Sequence, residues 1–109
     1  MINIEIIKSS HKIKITGHAN YAEKGKDIVC AAVSMLMYTL AESIKRNEFM
    51  LLCKPRIKVQ EDEESINAYV QCIPKRQYEA NIETIYQTIL NGLELLAEGY
   101  PENVQIKVI

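Results

Sequence analysis

The sequence predicts a two-layer α+β domain, with two helices lying over one face of a mostly antiparallel sheet. Three observations carry that expectation. Five short segments alternate apolar and polar residues with a period of two, the mark of half-buried strands. Two longer segments repeat their apolar residues every three or four positions, the spacing of an amphipathic helix. The order along the chain is ββαββαβ, and each strand keeps one polar face, so helices are expected on one side only.

The first strand lies within Met1 to Lys8, where Ile2, Ile4 and Ile6 alternate with Asn3 and Glu5. The second runs from Lys12 to Thr16 through Ile13 and Ile15. Ser9-Ser10-His11 between them suits a hairpin turn, and His11 reads there as a solvent-exposed turn residue. The first helix is expected from Asp27 to about Arg46. Its most apolar part, Ile28 to Ala41, is 14 residues interrupted by Ser34 and Thr39. That is short of the roughly 20 residues a membrane span takes, and it reads as a buried core helix.

A second hairpin follows. Arg56 to Gln60 turns Ile57 and Val59 inward, and Ser65 to Cys72 does the same with Ile66, Ala68, Val70 and Cys72. The acidic run Glu61-Asp62-Glu63-Glu64 forms the solvated turn between them. The second helix spans about Gln77 to Glu98, with Tyr78, Ile82, Ile85, Tyr86, Ile89, Leu93 and Leu96 on its apolar face. Gly99 just past its end and Pro101 beyond make a conventional stop. Val104, Ile106 and Val108 alternate in the last strand.

No linker, repeat or low-complexity tract divides the chain, so residues 1–109 are expected to form a single domain. Lys plus Arg is 13 against Asp plus Glu 14, a net charge of -1. Without a basic excess to neutralise phosphates, nucleic acid is not an expected partner. The opening residues show no charged-then-apolar leader pattern, so no secretory signal is expected. The three cysteines, Cys30, Cys53 and Cys72, contain no CxxC pair, so neither a disulfide framework nor a zinc ribbon is expected. These features point to a cytoplasmic protein without membrane attachment, metal or cofactor. Cys53 and Cys72 read as packed thiols. The first helix is more apolar than one buried face requires, which points to a homodimer interface.

The residues with chemical potential converge on the start of the first helix. His18 ends the second strand within Gly17-His18-Ala19, and Asp27-Ile28-Val29-Cys30 opens the helix. Asp27 is a suitable N-cap, because its carboxylate can accept from the free amides of the first turn. Cys30 then falls near the third helical position, where those amides and the helix dipole favour an anion. An imidazolium nearby would enlarge the thiolate fraction further. Such a thiolate is a nucleophile, His18 could donate a proton to a leaving amine, and the helix-start amides could hold an oxyanion. On residue types alone, a cysteine near a helix start is more often a small buried hydrophobe than a nucleophile, and a strand-end histidine more often a structural group than a base.

The run Gly17-His18-Ala19-Asn20-Tyr21-Ala22, Gly25, Asp27-Ile28-Val29-Cys30-Ala31-Ala32-Val33-Ser34 resembles the signature of the ribosomal-processing cysteine protease family, Prp (YsxB-like). Asn91-Gly92-Leu93 through Tyr100-Pro101 is similar to that family's last helix and its exit into the final strand. The resemblance implies a cytoplasmic, homodimeric endopeptidase. It implies removal of the N-terminal extension from the precursor of large-subunit ribosomal protein number twenty-seven, after an aromatic pair and before a small residue. Carried over by position, Cys30 would be the nucleophile and His18 the general base and acid.

Gly17, Asp27 and Ser34 match further positions of the family's motif. Gly17 admits close approach of a peptide backbone or the following loop, or simply ends a strand. Asp27 either orients His18 or caps the helix. Ser34, one helical turn after Cys30, hydrogen-bonds within the site or back to the Cys30 carbonyl. The loop Ala19-Asn20-Tyr21-Ala22-Glu23-Lys24-Gly25-Lys26 is expected to act as a lid over Cys30, with Gly25 as hinge. The alternative is a non-catalytic ribosome-associated factor that binds RNA or a nascent protein. The near-neutral charge and single Phe give it little support.

Overall fold

The structure, a computed structural model, describes residues 1–18, 27–61 and 65–109. The expected lid, residues 19–26, and most of the acidic turn, residues 62–64, lie outside the described residues.

Strands β1 (Ile2–Ile7) and β2 (Lys12–Gly17) form an antiparallel pair with Ile4 opposite Ile15 and Ile2 opposite Gly17. Strands β3 (Arg56–Glu61) and β4 (Ile66–Gln71) form the second antiparallel pair, and β4 also pairs with β2. Strand β5 (Val104–Val108) lies parallel to β1, giving the order β3-β4-β2-β1-β5. Helix α1 (Ile28–Arg46) packs on β3 and β4, and helix α2 (Glu79–Gly99) packs on β5 and against α1. The sheet is therefore mixed, antiparallel except at the β1–β5 edge, and the ββαββαβ order is as the periodicity predicts.

The period-two pattern translates directly into burial. Ile2, Ile4, Ile13, Ile15 and Val70 are fully buried, whereas Asn3 and Asn67 are exposed. Ile57 and Val59 are only half-buried, because β3 is an edge strand with one neighbour. From above, α1 contributes Val29, Val33, Met37, Leu40 and Ile44, and α2 contributes Ile82 and Leu93. By length and composition α1 is apolar enough to cross a membrane; in this fold its apolar stripe is the roof of the sheet. Gly92 sits where α1 crosses α2, and a Cβ there would lie 2.9 Å from Leu36.

The β1–β2 hairpin is closed by a short 3-10 turn, Lys8–Ser10, followed by His11 in the left-handed region at φ 47. Three local expectations are corrected. The His11 side chain is only 15% exposed, because α2 crosses over the turn and brings Tyr86 against the imidazole. Cys53 is exposed rather than packed, since β3 begins only at Arg56 and leaves it in the connection. Gly99 is the last residue of α2 and has no positive φ. The helix ends with the Tyr100 amide donating to the Leu96 carbonyl and the chain turning back through Asn103.

Candidate active site

The end of β2 and the entry to α1 converge beside the start of α1. His18 follows β2 directly, and its carbonyl accepts from the Met1 ammonium. Asp27 precedes α1 in an extended conformation and Cys30 lies in the helix's first turn. One donor atom each of His18, Asp27 and Cys30 lies within 4.8 Å of the other two. All three residues are partly buried, accessible yet shielded on one side. A thiol, an imidazole and a carboxylate within that bound are close enough to exchange protons after a small side-chain adjustment or through one water, and the same set offers three ligands to a metal ion.

The carboxylate geometry is specific. Asp27 Oδ1 accepts from the amides of Val29 and Cys30, each at 3.0 Å, and the Asp27 carbonyl accepts from Ala31 at 3.2 Å. Asp27 therefore caps the helix, satisfying two donors the first turn would otherwise leave free. The Val29 and Cys30 amides, two of the helix-start donors available to an oxyanion, are thus engaged by the cap. What the helix start still supplies to Cys30 is its dipole, which favours negative charge at the thiol.

Gly17 has φ +115, and a Cβ on it would lie 2.2 Å from the Met1 carbonyl oxygen. The backbone that approaches Gly17 is thus β1's own leading peptide, and the glycine allows the strand to end beside it. Ser34 is buried, 3% exposed, and its hydroxyl has no hydrogen-bond partner among the described residues. Neither expected bond, within the site or back to the Cys30 carbonyl, is made among the described residues. The Met1 contact to His18 was not legible in the sequence, because it depends on the register of β1 against β2.

The sequence model of the cysteine protease Prp family matches residues 1–105. The chain belongs to this family. It is 31% identical over 104 residues to the ribosomal processing cysteine protease Prp of Mycoplasma pneumoniae, covering 95% of this chain and 93% of that protein. It is 29% identical over 90 residues to the Staphylococcus aureus protein of the same name, covering 83% and 78%. Among solved structures, the S. aureus ribosomal processing protease Prp with a covalently linked product peptide superposes with TM-score 0.75 and 26% identity over the full length of both chains. A Streptococcus mutans protein superposes with TM-score 0.71 and 25% identity, covering 99% of this chain and 91% of the other. The protein is accordingly a cysteine protease with the Prp fold, and the non-catalytic alternative gives way to an enzyme.

Proposed function

We propose that Cys30 and His18 form the catalytic dyad of an endopeptidase that trims the N-terminal extension from the precursor of large-subunit ribosomal protein number twenty-seven. The observation that carries this reading is the convergence of the Cys30, His18 and Asp27 donor atoms within 4.8 Å at a helix start, in a chain of the Prp family. The Cys30 thiolate attacks the scissile carbonyl carbon, and the C–N bond breaks as protonated His18 delivers its proton to the leaving amine. His18 then takes a proton from water, whose oxygen displaces the thiolate from the thioester and regenerates the enzyme. Asp27 holds the helix start in place and sets its charge beside the pair.

The substrate peptide is expected to run along the end of the sheet that carries Gly17. A depression of about 590 Å³, lined by Tyr38, Val59, Gln60, Glu61, Ser65 and Asn67, opens at that end. Gly17 pairs with Ile66 and Ile66 with Glu61, which aligns the depression with the strand end before His18. Residues 1–109 act as one catalytic domain in this reading, in the cytoplasm where ribosomal proteins are made, and without nucleic acid as a ligand.

A homodimer is part of the same reading. Ile28, Met35 and Tyr38 are 58%, 64% and 43% exposed on the outer side of α1, an apolar stripe at helical spacing that a second copy would cover.

The deciding experiment incubates the protein with a peptide that spans an aromatic–aromatic–small junction. Wild type is expected to cut it once, after the aromatic pair, and Cys30→Ala is expected to leave it intact. An uncut peptide with wild type, or equal cutting by Cys30→Ala, overturns the proposal.

A further inference from the structure

The geometry points to a second, structural site: His11, Glu79 and Glu83 form a binding site for a divalent transition-metal ion of the zinc class. One donor atom from each of the three lies within 4.8 Å of the other two. His11 and His18 stand on either side of the six-residue strand β2. At about 3.3 Å per residue that separates this cluster from Cys30's neighbourhood by roughly 20 Å.

The imidazole is the fixed ligand. His11 is held in its left-handed conformation by its amide, which donates to the Lys8 carbonyl at 3.2 Å, and by its carbonyl, which accepts from the Cys72 amide at 3.3 Å. Its ring meets the edge of Tyr86, with centroids 6.3 Å apart, and the Tyr86 hydroxyl is itself anchored on the Val70 carbonyl. Among the described residues Nε2 is buried without a hydrogen bond, and Glu83 Oε1 lies 3.8 Å from it. A buried ring nitrogen without a donor or acceptor is costly, and a cation between it and the carboxylate removes that cost.

The carboxylates are the adjustable ligands. Glu79 and Glu83 are one turn apart on the same face of α2, and both are exposed and free to swing. A tetrahedral ion with bonds of about 2.0–2.1 Å needs donors about 3.3 Å apart, so shifts of order 1 Å in the two side chains complete the shell. An adjoining cavity of about 280 Å³, lined in part by Ile6, Ile13 and Leu90, has room for the remaining water ligand. Two basic residues also border that cavity, Lys8 and Lys12. The Lys12 ammonium is drawn away, 5.5 Å over the Tyr69 ring, and Lys8 is exposed on the turn, so the two carboxylates dominate at the site. One imidazole with two carboxylate oxygens is a donor set suited to zinc and its neighbours. The bound ion would tie the β1–β2 turn to the start of α2, a helix whose N-cap residue, Tyr78, makes no side-chain cap.

The test titrates Zn²⁺ calorimetrically into the full chain carrying Cys30→Ser and Cys53→Ser, which removes the other accessible thiol ligands. A single ion per chain is expected, with a rise in Tm on loading. Glu83→Gln, an exposed and fold-neutral change, should weaken binding by about tenfold or more. His11→Asn, which tolerates a positive φ, should abolish it. Co²⁺ in place of Zn²⁺ should give visible absorption that both variants lose. No binding in about tenfold molar excess of Zn²⁺, or binding unchanged by both variants, overturns the inference. The readouts do not involve proteolysis, so they stand or fall separately from the dyad.

Discussion

Asp27 Oδ1 accepts the amide hydrogen of Cys30 at 3.0 Å, so the carboxylate beside the thiol is also the cap of the helix that carries it. Capping and charge can be separated by substitution, because asparagine caps nearly as well as aspartate. Asp27→Ala should cost about 1 kcal/mol of stability in urea unfolding. Asp27→Asn should keep the urea midpoint while lowering kcat/KM by about a hundredfold, the scale of a disturbed acid–base pair. Full activity in Asp27→Asn would reduce Asp27 to a cap.

Gly17 combines a positive φ with a peptide oxygen in the place a Cβ would take. Gly17→Ala should destabilise the fold by about 1–3 kcal/mol from backbone strain alone. Relief of the clash requires β1 to shift at Ile2, opposite Gly17 in the sheet. Guanidinium unfolding measures the loss, and a midpoint equal to wild type would contradict the described register.

The three thiols differ in access. Cys53 is exposed, Cys30 is partly buried, and Cys72 is 3% exposed beneath α2. Brief iodoacetamide treatment of the native protein, read by peptide mass spectrometry, should modify Cys53 and Cys30 and spare Cys72. Cys72 should react only after denaturation, and its labelling at the rate of Cys53 would count against the packing of α2.

Burial pushes the Cys72 thiol up, and burial beside that thiol pushes the Tyr86 hydroxyl up further. The Tyr86 hydroxyl donates to the Val70 carbonyl at 3.2 Å and lies 3.7 Å from Cys72 Sγ. Both groups stay neutral in the fold at pH values where the unfolded chain has begun to ionise. Their contribution is fully present below the unfolded values and is lost as pH rises above about 9. The Tm should therefore fall between neutral pH and pH about 10, and Cys72→Ala should narrow that fall. An identical fall in both proteins would remove Cys72 from the account.

The exposed stripe Ile28, Met35 and Tyr38 carries the expectation of a dimer. Met35→Lys places a charge in its centre and should convert the dimer to monomer in sedimentation without loss of helix content. A wild-type monomer, or a dimer indifferent to the substitution, would place the interface elsewhere or remove it.

The strands, the helices and the Asp27 cap were legible in the sequence because each depends on neighbours within a few residues. Alternation decides which side of a strand meets water, and a cap reaches only two or three positions ahead. The Cys30–His18 pairing was legible as a motif, and the fold brings the two residues to the same helix start. Tertiary structure alone decided the rest. The parallel edge sets Ile2 beside Val104 from the far end of the chain. Packing of α2 across the first turn covers most of the His11 side chain, which as sequence is a polar turn residue, and brings Glu79 and Glu83 to it. Such contacts depend on which elements share a core, a choice made by apolar burial summed over the whole chain, whereas periodicity and capping are settled turn by turn.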